Sequence, residues 1–117
     1  MCGILGFIGK EKISKETINH CLNLMKNRGP DFQDYKEIKV NNSINLYLLH
    51  SRLSILDLQK RSNQPFKKKH ITLIFNGEIY NYKEIKSELI KIGSIFYTNT
   101  DTEVLLESWR IWGKNCL

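Results

Sequence analysis

The order in which strand-like and helix-like hydrophobic patterns follow one another constrains the fold of this chain more than any other feature. A short apolar run at residues 3–8 predicts a buried strand. Apolar residues spaced three and four apart after Ser14, a helix-capping residue, predict a helix that ends near Asn27. Residues 35–40 and 44–50 then alternate as the two strands of a hairpin.

The second half of the chain continues this alternation. Residues 71–77, ITLIFNG, form the clearest strand pattern in the sequence, and residues 82–93 follow with helical spacing that closes on a glycine. Thr100, with Glu103 three residues later, has the composition of a capping box and predicts a last helix. The apolar face expected for that helix consists of Val104, Leu105, Trp109 and Trp112. The whole order predicts an α+β domain built on antiparallel strand pairs.

The formal net charge of +6 raises the question of nucleic-acid binding. The excess comes from 14 lysines against 4 arginines, and the lysines are scattered along the chain. Their one cluster, residues 67–69, lies between Pro65 and a strand-like run, which favours a solvated hairpin loop. We therefore expect no nucleic-acid partner.

Length, hydropathy and cysteine spacing exclude other classes of protein. At 117 residues the chain is long enough for one domain only. Its apolar runs fall far short of the roughly 20 residues that cross a bilayer, and its first residues lack the basic segment of a signal peptide. Cys2, Cys21 and Cys116 are widely spaced and match neither a zinc site nor a disulfide framework. We expect a cytoplasmic protein with no membrane partner and no metal.

Six short stretches carry the polar residues of chemical interest: MCGI, RGPD, HSRLSILD, QPF, NGEIYNY and TDTEVLL. Each has an ordinary explanation when it is taken alone. Asn76-Gly77 after a strand is usually a turn, and Arg52 in a strand is usually a salt-bridged residue. Asp101 fits the first turn of a helix, where it interacts with the helix dipole. Cys2 alone is more often a buried thiol than a nucleophile.

In this order, however, the six stretches together resemble the glutaminase domain of glutamine-dependent asparagine synthetases, which are class II glutamine amidotransferases. The similarity extends from residue 2 to about residue 107. It implies the fold of the N-terminal-nucleophile (Ntn) hydrolases, an αββα sandwich of antiparallel sheets. Residues 1–117 are predicted to be the N-terminal part of such a type 2 glutamine amidotransferase domain.

The resemblance also implies a larger protein. The chain contains no SGGxDS-like pyrophosphate-binding motif, which marks the synthetase domain of the family. That absent domain is expected to receive the ammonia and to bind ATP and magnesium, whereas the glutaminase step itself needs no cofactor. A homodimer is a further expectation for the full-length protein.

By resemblance, Cys2 is the nucleophile that attacks the side-chain amide of L-glutamine. An ordinary thiol is only a few per cent thiolate at neutral pH and needs a base. Once Met1 is removed, the α-amine of the same residue supplies that base, because its reference pKa lies near 8. The side-chain amide of Asn76 and the backbone N–H of Gly77 are the implied oxyanion donors, each worth about 3 kcal/mol.

The remaining predicted residues bind the zwitterionic end of glutamine. Arg52 matches the family arginine that would hold the α-carboxylate in a bidentate fork. Asp101, with Glu78 near it, would receive the α-ammonium group. Arg28, in the RGPD stretch, is expected to order the loop over the nucleophile.

Two alternatives stay open. Because family glutaminase domains are considerably longer, the chain can be a non-catalytic fragment or a regulatory module that retains the fold. Related amidotransferases for sugar or peptide acceptors share these motifs, so asparagine as the final product is less firmly indicated than glutaminase activity.

Overall fold

The computed structural model describes residues 2–116, which contain five strands and three α-helices. In chain order they are β1 (Gly3–Gly9), α1 (Lys15–Met25), β2 (Phe32–Lys39), β3 (Asn45–Arg52), β4 (Phe66–Lys68), β5 (Ile71–Leu73), α2 (Tyr82–Lys91) and α3 (Asp101–Trp112). Short 3-10 turns cover Lys60–Ser62 and Gly113–Cys116. The strand pairs are antiparallel, which confirms the predicted α+β class.

β3 is the central strand of a three-stranded sheet and lies between β1 and β2. The register pairs Gly3 with Ser51, so the start of β1 lies beside the end of β3. This pairing brings Cys2, which precedes β1, next to the segment that follows Arg52. Two parts of the chain some fifty residues apart are thereby joined at one corner of the sheet.

Helix α1 covers one face of this sheet and begins at Ser14, as the sequence predicts. The Ser14 hydroxyl accepts a hydrogen bond of 3.1 Å from the N–H of Thr17, one of the donors that a helix start leaves unpaired. The core between helix and sheet consists of Ile18, Leu22, Met25, Tyr47 and Leu49. Cys21 is half-buried and packs against it, so the predicted helical face is confirmed.

The other face of the three-stranded sheet is covered only towards the end of β3, where His50 is fully buried. Leu5 and Phe7 of β1 pack against the α1 core, whereas Ile4 and Ile8, which point the other way, are 46% and 65% exposed. The predicted strand is therefore present, but only one of its faces packs against the core.

The second sheet is the hairpin of β4 and β5, and it is shorter than the sequence predicts. β5 covers only Ile71–Leu73 of the expected strand, because its partner begins after Pro65, which has no N–H to extend the ladder. Beyond β5, the backbone of Phe75 is bonded to side chains instead of a strand. Its N–H donates to Gln64 and its carbonyl oxygen contacts His50.

α3 begins at Thr100, whose hydroxyl accepts from the N–H of Glu103 at 3.3 Å, as the predicted cap requires. The apolar face of the helix differs from the prediction. Val104 and Leu106 are fully buried, but Trp109 is 46% exposed. The buried side of α3 is largely polar, which the search for apolar spacing did not detect.

The polar side of α3 binds the β4–β5 hairpin through buried charges. The ammonium group of Lys68 lies 2.7 Å from a carboxylate oxygen of Glu103 and 3.1 Å from one of Glu107. Arg110 pairs with Glu107 at 2.7 Å. Lys68 is 8% exposed, so it does not belong to the solvated loop that the sequence predicts. Two buried carboxylates need buried cations, and Lys68 is one of them.

Helix α2 runs from Tyr82 to Lys91 and packs on α3 through Leu89, which is fully buried. Gly93 follows with a φ of 92°, the left-handed conformation that favours glycine after a helix. In the part of the chain that the structure describes, none of the helices is long and apolar enough to cross a membrane.

Candidate active site

A cleft of about 270 Å³ is formed where the ends of the three-stranded sheet meet the start of α3. Its walls come from the N-terminus and from residues 52–64, 75–82 and 100–102. Of the residues predicted from the sequence, it brings together Cys2, Arg52, Asn76, Gly77, Glu78 and Asp101. Arg28 does not line it; this arginine borders an adjoining groove.

Cys2 is half-buried, and its sulfur faces the segment that follows β3. The Sγ atom lies 3.4 Å from the backbone nitrogen of Leu53 and 3.7 Å from its carbonyl oxygen. On the other side, the Nε of Arg28 donates to the backbone carbonyl of Cys2 at 3.1 Å. Gly29 lies so close to the end of β3 that a Cβ would collide with the backbone of Ser51. The RGPD stretch thus packs on β3 and contacts the backbone of the cysteine.

Arg52, the last residue of β3, is buried and organises the loop that follows it. One terminal nitrogen of its guanidinium donates to Asn63 Oδ1 at 2.7 Å and to the carbonyl of Gln59 at 3.4 Å. The other donates to the carbonyls of Leu56 at 3.0 Å and Asp57 at 2.6 Å. Among residues 2–116 none of the ion pairs includes Arg52. Its positive charge is therefore balanced by carbonyl dipoles and not by a carboxylate.

Asn76 and Gly77 follow β5 at the rim of the cleft, where Asn76 is half-buried and Gly77 is exposed. A Cβ on Gly77 would come within 2.8 Å of the Phe75 ring. A larger residue here would require the Phe75 ring to move. Among the glycines of residues 2–116, a positive φ is found at Gly93 and Gly113 and not at Gly77.

Asp101 opens α3 and contributes its carboxylate to the cleft. Burial raises its pKa, and the nearby carboxylate of Glu78 acts in the same direction. The N–H of Ile79 opposes both by donating to Asp101 Oδ2 at 3.2 Å. A cation placed beside Asp101 and Glu78 would relieve this mutual repulsion of two carboxylates.

The loop before α3 is organised by Glu103, which is fully buried. Its carboxylate accepts from the N–H of Tyr97 at 3.1 Å and from the N–H and the hydroxyl of Thr98, both at 2.7 Å. Burial alone would raise the pKa of Glu103, but the hydrogen bonds from Lys68, Thr98 and Tyr97 lower it. The position of Asp101 therefore depends on a charge that lies behind the cleft.

Asp57 connects this loop to the one around Arg52. Its carboxylate accepts from the N–H of Asn99 at 3.0 Å and pairs with Arg61 at 3.0 Å. Burial acts to raise the pKa of Asp57, but these bonds lower it overall. The two loops that border the cleft are thus tied together at their outer ends.

Several lining residues were not identified from the sequence. Leu53 contributes a backbone N–H beside the sulfur of Cys2, and Gln64 links Phe75 to Thr102. Ser62 is buried, and among the described residues its hydroxyl has no hydrogen-bond partner. The QPF stretch was a signal for Gln64. A backbone contact such as that of Leu53 leaves no signal in residue type.

Between residues 2 and 116, no group of three or more His, Cys, Asp or Glu side chains is arranged to hold a metal ion. The polar groups of the cleft are a thiol, a guanidinium, two carboxylates and amide donors. Such a set suits an amino acid with both charged ends and a reactive carbonyl.

Comparison with known proteins agrees with the polar groups found in the cleft. The sequence matches the glutamine amidotransferase domain family over residues 1–117, so the chain belongs to that family. It is 38% identical over 116 residues to a probable glutamine-hydrolyzing asparagine synthetase of Acanthamoeba polyphaga mimivirus, a match that covers 97% of this chain and 20% of the relative.

Two further relatives show that similar proteins have different names. A putative glutamine-hydrolyzing asparagine synthetase 2 of Methanocaldococcus jannaschii is 37% identical over 135 residues, covering 100% of this chain and 25% of the relative. The amidase chry2 of Gibberella zeae is 32% identical over 127 residues, a match that covers 97% of this chain and 18% of the relative. The chain thus spans a quarter or less of the length of these relatives.

Proposed function

We propose that this chain hydrolyses the side-chain amide of glutamine, with Cys2 as the nucleophile. The observation that carries the proposal is the content of one cleft: a thiol, an amide-bearing turn, two carboxylates and a cation that no carboxylate of the described residues pairs with. Membership of the glutamine amidotransferase family supplies the substrate class.

In the proposed reaction the thiolate of Cys2 attacks the amide carbon, and the carbonyl electrons move to oxygen. The Asn76 side chain and the Gly77 N–H donate to that oxyanion. Collapse of the intermediate expels the nitrogen, which takes a proton from the α-ammonium of Cys2 and leaves as ammonia. Water then cleaves the resulting thioester to glutamate and restores the thiol.

The charged groups of glutamine would be bound by the residues around the thiol. Asp101 and Glu78 offer two carboxylates to the α-ammonium group, and the positive charge of Arg52 attracts the α-carboxylate. A bidentate grip by Arg52 requires this side chain to release some of its bonds to the loop. That grip stays a prediction, as does the loop-ordering role of Arg28.

We further propose that the ammonia passes to a synthetase domain that uses ATP and magnesium to make asparagine. The support is that two of the three relatives named above are a probable and a putative glutamine-hydrolyzing asparagine synthetase. The amidase among them keeps a different acceptor open.

Labelling with 6-diazo-5-oxo-norleucine, a glutamine analogue that alkylates the attacking thiol, tests the nucleophile. Mass spectrometry of the purified chain should show loss of Met1 and one adduct on Cys2. The Cys2→Ala variant should show neither the adduct nor ammonia release, while Cys116→Ala, which removes a half-buried thiol elsewhere, should retain both. Ammonia release by Cys2→Ala would refute Cys2 as the nucleophile. The absence of an adduct on processed Cys2 would instead favour a non-catalytic module.

A further inference from the structure

The backbone of Phe75 is held on both sides by buried side chains. Its N–H donates to Gln64 Oε1 at 2.6 Å, and its carbonyl oxygen lies 3.3 Å from His50 Nε2. His50 is fully buried and Gln64 is 6% exposed. Gln64 is fixed in turn, because its Nε2 donates to Thr102 Oγ1 at 3.2 Å. We call His50 and Gln64 the Phe75 clamp.

The chemistry of the contact defines the state of His50. A carbonyl oxygen only accepts, so Nε2 must carry the hydrogen, and Nδ1 is then the unprotonated nitrogen. Within the described residues Nδ1 has no hydrogen-bond partner. Burial lowers the pKa of His50 to about 4; the nearby charge of Arg52 adds to this effect and the bond to Phe75 opposes it. Asp34, the cross-strand neighbour on β2, is exposed. The clamp is therefore neutral over the physiological pH range.

The clamp acts on the segment that leads to the proposed oxyanion donors. β5 ends at Leu73, so no strand ladder fixes residues 74–77. The Phe75 ring packs so tightly on Gly77 that a Cβ there would lie 2.8 Å from it. A displacement of Phe75 would consequently move the N–H of Gly77 and the side chain of Asn76.

We propose that His50 and Gln64 are positioning residues that fix the Asn76–Gly77 pair for catalysis through the backbone of Phe75. The inference rests on the proposed glutaminase function, which it deepens. Neither residue touches the substrate in this role. Their contribution is to hold two donors in place before the oxyanion forms, which is the condition for strong electrostatic stabilisation.

Two variants that replace His50 by a neutral amide test the proposal, since the two amide side chains differ mainly in length. The amide nitrogen of His50→Gln can occupy the place of Nε2 and donate to the Phe75 carbonyl, whereas that of His50→Asn falls short of it. We expect His50→Asn to lower kcat for glutamine hydrolysis by about 10- to 100-fold, with KM within about threefold of wild type. His50→Gln should restore kcat to within about threefold of wild type, with an unchanged pH profile between pH 6 and 8.

Tyr47→Phe is the matched control for the loss of a buried polar contact. Tyr47 is fully buried on the same strand, but its hydroxyl accepts from the N–H of Ile13 on the α1 side of the sheet. This variant should lose stability without a change in kcat. A loss of kcat equal to that of His50→Asn would show that any damage to β3 has the same effect, and would overturn the proposal.

The amide resonance of Gly77, followed by NMR, provides a readout that does not depend on turnover. We expect it to shift in His50→Asn and to return towards the wild-type position in His50→Gln. An unshifted Gly77 resonance in His50→Asn, or His50→Gln as impaired as His50→Asn, would overturn the clamp. If the wild-type chain releases no ammonia, the proposed function fails, and the resonance of Gly77 alone then decides whether the clamp exists.

Discussion

The two loops that border the cleft are organised by buried charges of opposite sign. Three carbonyl oxygens of the loop after β3, those of Leu56, Asp57 and Gln59, accept hydrogen bonds from Arg52. In the loop before α3, the N–H groups of Tyr97 and Thr98 and the hydroxyl of Thr98 donate to Glu103. The anion is neutralised by Lys68 at 2.7 Å, whereas no described carboxylate pairs with the cation. Both loops depend on a single side chain behind them, but among the described residues only Glu103 is paired with a group of opposite charge.

The difference separates a structural charge from a functional one. A paired charge such as Glu103 stabilises its loop, but its electric field is largely cancelled by its partner and attracts a ligand only weakly. An unpaired buried cation is costly, and a substrate carboxylate would reduce that cost. We therefore expect the loop before α3 to contribute mainly to stability and propose that the loop after β3 attracts the substrate.

Replacing Lys68 by methionine is expected to have the largest effect on stability. It leaves Glu103 without a cation and Glu107 with Arg110 alone, which for a broken buried pair costs about 3–5 kcal/mol. Urea unfolding monitored by tryptophan fluorescence measures this loss. Lys67→Met, on the adjacent exposed residue, should change stability by less than about 0.5 kcal/mol. Equal effects of the two would show that the loop before α3 does not depend on the buried charge.

Arg52→Lys should affect substrate binding more than stability. Lysine keeps the charge but cannot bond to four acceptors in one plane, so the loop after β3 is expected to lose its form. We expect kcat/KM for glutamine to fall by about 100-fold, chiefly through KM. Arg61→Lys, at a side chain 48% exposed, is the control and should remain near wild type. An unchanged KM in Arg52→Lys would contradict the functional assignment of this charge.

Acid distinguishes the two organising charges, because arginine does not titrate. The pKa of Glu103 is lowered in the folded protein, so its stabilising contribution is present above 4.5 and is lost as the pH falls through the folded pKa. Glu103→Gln should cost about 1–3 kcal/mol at pH 7, and its stability should then vary less with pH below 4.5 than that of the wild type. Glu88→Gln, on the exposed side of α2, should follow the wild-type curve. Parallel curves for wild type and Glu103→Gln would refute the assignment.

The smallest effects come from two hydroxyls, one beside each loop. Thr98 donates its hydroxyl to Glu103 at 2.7 Å, and Thr98→Val should cost about 1–2 kcal/mol. Ser62 has no partner for its buried hydroxyl among the described residues, so Ser62→Ala should change stability by less than about 0.5 kcal/mol. Thermal unfolding of the two variants side by side measures the difference, and a larger loss for Ser62→Ala would reverse the expected order.

Features governed by local patterns were predicted well from the sequence. The cap at Ser14, the face of α1 and the hairpin of β2 and β3 depend on neighbouring residues and on periodicity. The burial of Lys68 and the exposure of Trp109 were missed, because each depends on which distant element packs against it. The shortness of β5 was missed for the same reason, because its length is set by Pro65, which precedes the partner strand β4.

The candidate site was recognised through motifs, and the structure adds how they meet. Periodicity gave no reason to bring Cys2, Arg52 and Asp101 together; the resemblance did, and one cleft contains them. No motif predicted the contacts that support the site, such as the backbone of Leu53 beside the sulfur of Cys2 and the clamp on Phe75. These depend on backbone atoms, which every residue type shares.

The pairing of β1 with β3 also has a consequence for the synthesis of the chain on a ribosome. Leu53, against which the sulfur of Cys2 rests, is added to the chain 51 residues after Cys2. At about 5–20 residues per second, roughly 3–10 seconds therefore pass before this contact of the thiol can form. Under the proposed function, we expect removal of Met1 to be easiest before β1 pairs with β3.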